Sequence, residues 1–336
     1  MKRLKFIWID DKTEKIKAFR APIESGAAAV IETLRVEKGF LEVLEKWVGE
    51  NKSEPPDLFI IDHVYNLNLP FGLNGSSVAH LLRNAFPSVP IVCVTAKLDD
   101  QDAFDQDDLS EYTAIFPYTR LERYVEHLAV IARDFKKLMP ASKVDIRRHL
   151  VSCLKAPERD QKDLLRILPE EFKNERHATT GHRIGRWIYN VLRRRPGFLY
   201  DRLFAATLLG LNQEGFNRVE RLFVKALYTG VFAIPSEPRW WASELRRILF
   251  SLTPADGPDI PQYAGRLLTG IRKSDYSTCY LSKKSEPPPD AVAFADGTRE
   301  AERRVVRREF TKQHPFDLGL MAGFETQLML RRPRGH

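Results

Sequence analysis

Three aspartates stand where short apolar runs end: Asp10 and Asp11 after "LKFIWI", and Asp62 after "LFII". An aspartate so placed either caps the turn that closes a buried strand or is a carboxylate held out for chemistry. If these runs are strands and the first and third are neighbours, three carboxylates converge. Their mutual repulsion then calls for a hard divalent cation such as Mg²⁺. Thr95 ends the run "IVCVT" in the same way, and Phe116-Pro117 ends "TAIFPY". Each position also has a plain reading: Asp11, ahead of "KTEKIKAF", and Thr95 are of the types that cap helices.

The elements that must position these residues alternate in type. The runs "LKFIWID", "AAVIETLR", "LFIID", "IVCVTA" and "TAIFPY" read as strands. Between and after them lie the helical patterns "KTEKIKAFRAPIE", "GFLEVLEKWVGEN", "GSSVAHLLRNAF", the acidic "LDDQDAFDQDDLSEY" and "LERYVEHLAVIARDFKKL". In the last, Leu121, Tyr124, Val125, Leu128, Ile131 and Phe135 share one helical face. Five strands alternating with five helices predict a parallel sheet covered on both faces, with ligands bound at the carboxyl ends of its strands.

With its "IWIDD", its "PPDLFIIDH", its "VPIVCVTA" and the proline of "IFPY", residues 1–138 resemble the receiver domain of bacterial response regulators. The resemblance implies a flavodoxin-like, five-stranded parallel fold. It implies that Asp10 and Asp11 help to hold Mg²⁺, that Asp62 accepts a phosphoryl group, and that the Thr95 hydroxyl binds the phosphoryl oxygens. The departures matter as much. Receivers carry a lysine directly before the late proline, and here that position is Phe116, whose neutral ring supplies no charge. The switch aromatic falls on Thr113, with Tyr112 adjacent; the loop "HVYNLNLPFGLNG" after Asp62 is long and apolar; Lys97 lies two residues beyond Thr95. Slow or undetectable acceptance from small phosphodonors, with signalling through docking, is the corresponding expectation.

Charge divides the chain. The whole carries +8, yet residues 1–140 are slightly acidic, so the remainder is strongly basic. With Pro140 and Ser142 as the junction, the predicted organisation is a receiver-like domain over 1–140 and a basic, mainly helical output or interaction domain over 141–336 with a small β section. Its helical patterns are "VDIRRHLVSCLK", "ERDQKDLLRILPEEF", "GHRIGRWIYNVLRRRPG", "LYDRLFAATLLGL", "EGFNRVERLFVKALYTGVF" and "PRWWASELRRILFSL"; "YSTCYLSKK", "DAVAFADG", "RRVVRREF" and "ETQLMLRR" read as strands or hairpins. "LLGLNQEGFNRVERLF" has the polar break of a helix-turn-helix, and equally that of an ordinary helical hairpin. Arg193, Arg194 and Arg195 are either a cationic helix end or phosphate contacts. Trp240 and Trp241 are adjacent and do not share one helical stripe, so one of them is either a candidate anchor for a domain or partner interface or, with the other, core packing at a helix start.

Other function classes lack support. The three cysteines form no CxxC pair, and no apolar run approaches the length of a membrane span. The N-terminus meets acid too early for a signal peptide, so a cytoplasmic protein is expected. His177 and His182 are poorly spaced for one face, and Cys279 with His314 has nothing to orient the pair, so enzymatic activity is not indicated. Two readings lead, beside a third, an effector enzyme in residues 141–336 that no motif identifies. One is a signalling regulator and phosphoprotein whose atypical receiver controls a basic domain that binds nucleic acid or a partner protein. The other is an adaptor or assembly subunit that uses a signal-dead receiver fold, a pseudo-receiver, as a docking surface.

Overall fold

The structure is a computed structural model and describes residues 2–65, 73–96, 111–138, 145–169, 180–194, 197–294 and 303–308. Five strands form one parallel sheet: β1 (Leu4–Asp10), β2 (Ala29–Arg35), β3 (Leu58–Ile61), β4 (Ile91–Thr95) and β5 (Ala114–Pro117). Their order is β2-β1-β3-β4-β5, the flavodoxin-like order expected of the sequence. Burial follows position. The central strands β3 and β4 are buried throughout, whereas β2 at one edge alternates between buried and exposed residues. Pro117, which lacks a backbone donor, ends the other edge strand.

Helices α1 (Thr13–Gly26), α2 (Phe40–Asn51) and α3 (Gly75–Ala85) lie between the strands. The side chain of Asn74 caps α3 by accepting from the Ser77 N–H. The sheet, α2 and α3 enclose one core with Ile7, Ile9, Trp47, Phe59, Ile61, Val78, Leu82 and Phe86. The acidic helix expected over 98–112 falls almost wholly outside the described residues. The single helix expected after β5 is instead a 3₁₀ segment, Tyr118–Tyr124, broken at Arg120, followed by α4 (Val125–Asp134). Leu121, Leu128, Ile131 and Phe135 are fully buried all the same, because their spacing survives the local tightening.

Two compact units emerge: 1–154, 164–191 and 230–236 in the first, and 155–163, 192–229 and 237–336 in the second. The first thus continues past residue 140 into α5 (Ile146–Leu154) and α7 (Thr180–Trp187); α6 (Glu158–Ile167) lies between these in sequence. The junction residues Pro140 and Ser142 lie outside the described residues. In the second unit, α8 (Arg202–Leu208), α9 (Gln213–Val219), α10 (Ala242–Leu252) and α11 (Pro261–Arg266) accompany two small antiparallel sheets. One pairs β6 (Leu199–Tyr200) with β7 (Trp240–Trp241), the other β8 (Ala291–Phe294) with β9 (Arg303–Val306). The β8–β9 hairpin is the one expected at "DAVAFADG" and "RRVVRREF". "YSTCYLSKK" is no strand but a bridge residue, Tyr276, followed by a turn in which Lys283 N–H bonds Cys279 O, and "ETQLMLRR" lies outside the described residues. α9 passes into a 3₁₀ segment (Glu220–Ala226), and Phe216, Val219 and Phe223 line the unit's core with Trp240 and Leu245.

Candidate functional site

Register brings the aspartates together. β1 lies between β2 and β3 with Ile9 level with Ile61, so Asp10 and Asp62 leave adjacent strands at the same height. The Asp62 N–H bonds Ile9 O at 3.1 Å and ties the two strand ends. Asp10, Asp11 and Asp62 each place a carboxylate oxygen within 4.8 Å of the others. Asp10 and Asp62 are buried; Asp11 is partly so. Asp11 is not the cap of α1, whose N-cap is Lys12; the Lys12 N–H bonds Asp10 Oδ1 at 2.8 Å instead. Thr95 is buried at the end of β4, level with Pro117 of β5.

A cation from an unexpected place completes the pocket. Lys15, in the first turn of α1, donates a hydrogen bond from Nζ to Asp62 Oδ2 and stands 3.8 Å from Asp10 Oδ2. Helix side chains lean toward their own N-terminus, so a residue in the first turn projects back over the strand ends. The available signal was a lysine four residues after Asp11, in that turn. Burial works against the Lys15 ammonium, but the hydrogen bond to Asp62 and the charges of Asp62, Asp10 and Asp11 outweigh it and raise its pKa. The pocket therefore carries a cation of the chain's own, which the expectation of a divalent ion alone does not include. Lys97 lies outside the described residues, as does most of the loop after Asp62.

Asp10 has an elevated pKa. Burial raises its carboxyl from 3.8 to about 6, the Lys12 N–H opposes this, and the Asp62 charge adds to it. The folded protein thus holds a proton at Asp10 that the unfolded chain has already released between those values. Stability from this group falls as pH rises through that window and is level above it, a difference of about 3 kcal/mol at most. Urea unfolding of the wild type and Asp10→Asn at pH 4, 5, 6 and 7 checks this. The variant should gain on the wild type as pH rises from 4 to 6; a constant difference contradicts it.

Phe116 faces away from any such role. It is fully buried among Tyr124 (ring centroids 4.8 Å apart), His127 and Tyr189 (6.0 Å each). A hydrogen bond joins His127 Nδ1 to Tyr189 Oη, and Asn190 donates to Thr113 O at the β5 edge. Tyr112, beside Thr113, is buried and bonds His63 Nδ1 at 3.1 Å, directly after Asp62.

Of the remaining candidates, those among the described residues are buried except Arg194. Trp240 and Trp241 are both buried, Trp240 against Phe216 and Trp241 against Tyr228. Both are core residues at a helix start: they form β7, where neighbours point to opposite faces and each is covered separately, and Trp241 is the N-cap of α10. Arg193 is 2% exposed and 3.6 Å from Glu237, so it is not presented to phosphate; Arg194 is exposed, and Arg195 lies outside the described residues. His177 and His314 lie outside them too. Burial opposes ionisation of the Cys279 thiol, but hydrogen bonds from Ser282 and from nearby backbone N–H groups outweigh it and lower its pKa; burial holds the His182 imidazole down at about 3.

No protein-family profile and no curated protein sequence matches the chain. Solved structures similar to its N-terminal part include receiver domains. The signal receiver domain of NarL from Mycobacterium tuberculosis is 13% identical, covering 37% of this chain and 91% of its own, with a TM-score of 0.29. A response-regulator receiver domain protein from Clostridium thermocellum is 14% identical (38% and 94% covered, TM-score 0.28). The chemotaxis response regulator CheY4 of Vibrio cholerae is 17% identical (38% and 99% covered, TM-score 0.26). Among the described residues, no helix is long and apolar enough to cross a membrane.

Proposed function

We propose that this protein is a signalling regulator in which Asp62 of a receiver-like unit accepts a phosphoryl group and the second unit carries the output. The observation that carries the proposal is the convergence of Asp10, Asp11 and Asp62 within 4.8 Å at the carboxyl ends of adjacent parallel strands. The donor set suits Mg²⁺, which takes hard oxygen ligands at about 2.0–2.1 Å and keeps several waters that bridge wider gaps. When bound there, Mg²⁺ would neutralise charge on the phosphoryl oxygens. The Asp62 carboxylate oxygen would form a bond to phosphorus while the bond from phosphorus to the donor's leaving oxygen breaks, releasing acetate when the donor is acetyl phosphate. The Thr95 hydroxyl would donate to a phosphoryl oxygen. The new charge on Asp62 would bias the packing of the unit, which is the physical basis of output.

For the output, a protein partner is the reading we favour over nucleic acid. Arginines of the second unit are tied into internal pairs: Arg202 with Glu220, Arg218 with Asp275, and Arg239 and Arg303 with Asp201. Val224, Phe250, Leu252, Ile260, Leu267 and Leu281 of the same unit are exposed apolar side chains. Strong salt-dependent binding to duplex DNA would reverse this preference.

Acetyl phosphate treatment with Mg²⁺, followed by intact mass and peptide mapping, tests the acceptor role. Slow modification confined to Asp62 and absent from Asp62→Asn is expected. An unmodified wild type would replace this reading with the adaptor that uses the fold as a docking surface, which the aromatic burial of Phe116 favours.

A further inference from the structure

We infer that Lys15 is a built-in cation of the carboxylate pocket, which a divalent ion must displace before it binds. This goes beyond the acceptor role of Asp62 and holds whether or not Asp62 is phosphorylated. Lys15 Nζ bonds Asp62 Oδ2 and lies 3.8 Å from Asp10 Oδ2, so the ammonium contacts two of the three groups that would ligate the ion. The side chains are shielded from water, at 13% exposure for Lys15, 1% for Asp10 and 3% for Asp62, and their attraction is little screened by salt.

An ammonium and a divalent cation on the same two carboxylates repel strongly at such separations, so the two occupancies exclude one another. Lys15 has somewhere else to go. Its Nζ is already 5.4 Å from the centroid of the Tyr118 ring, whose face attracts cations, and its four-carbon stem is flexible. Two positions follow for the ammonium: the one of the structure, inward on Asp62 and Asp10, without the ion, and one swung toward Tyr118 with it. In the first, one ammonium of the chain offsets part of the charge of the three carboxylates.

Calorimetric titration of the full chain with MgCl₂ compares wild type, Lys15→Met and Lys15→Arg. Removal of the competing charge should tighten Mg²⁺ binding by about tenfold or more in Lys15→Met, while Lys15→Arg stays as weak as wild type. Asp62→Asn added to Lys15→Met should abolish the gain, which places the ion in this pocket. Equal or weaker binding by Lys15→Met, including none at all, would overturn the inference. Lys15→Gln carries the same comparison if the methionine variant does not fold. A measurement on the wild type alone is decisive as well: acylation of the Lys15 amine, followed by mass spectrometry, should be slow without Mg²⁺ and accelerate as Mg²⁺ is raised. Labelling that does not respond to Mg²⁺ sinks the proposal.

Discussion

Lysine in place of Phe116 is expected to unfold the first unit rather than to rebuild a phosphoryl-binding pocket. The substitution puts a cation where receivers carry one, and by sequence alone it looks restorative. In the structure the side chain at 116 is fully buried, and its ring packs against Tyr124, His127 and Tyr189. A lysine there loses the ring contacts and buries an ammonium with no carboxylate among these packing partners. Cavity formation by Phe→Ala in a core costs about 3–5 kcal/mol, and an unpaired buried charge adds to that. Phe116→Ala should therefore lose about 3–5 kcal/mol in urea unfolding and Phe116→Lys more, with no gain in modification by acetyl phosphate. A stable Phe116→Lys variant with faster acceptance at Asp62 would show that the cluster is pliable and that position 116 reaches the pocket.

Gly75→Ala should be comparably damaging, from the opposite side of the site. A Cβ built on Gly75 would lie 2.2 Å from Asp62 O, 2.7 Å from His63 Cα and 2.9 Å from Tyr112 Oη. The first two are backbone atoms and cannot swing aside as a side-chain tip would. The Gly75 N–H also bonds His63 O at 2.8 Å, so the start of α3 is held against the residues that carry the acceptor. Relief of the clash must move either α3 or the end of β3. The first costs core contacts of Val78 and Leu82; the second shifts Asp62 away from Asp10 and Lys15. A loss of about 3 kcal/mol or more is expected. In whatever fraction folds, Mg²⁺ binding should weaken further. A variant within about 0.5 kcal/mol of wild type, of the size typical of unconstrained surface changes, would contradict the close approach.

The sequence by itself determined the strand ends and their order of importance. Apolar runs of strand length, each closed by a polar residue, are local features, and parallel pairing puts every carboxyl end on the same side of the sheet. That is why Asp10, Asp11 and Asp62 were legible as one group, with Thr95 at the end of the strand beside β3. Tertiary structure alone decided the charge balance of the pocket. The reach of Lys15 depends on how α1 is rotated and seated over the ends of β1 and β3, which the sequence between them does not encode locally. It also decided the burial of residues whose types suit either a surface or a core. Phe116 was readable as a missing lysine but not as part of a cluster with Tyr189, which is distant in sequence and joins the same unit only on folding. Trp240 and Trp241 were readable as a helix start, with a spare ring or without one. On a two-residue strand each ring points to a different layer, and both are covered because contacts between residues far apart in sequence, not helical period, set what lies on either side.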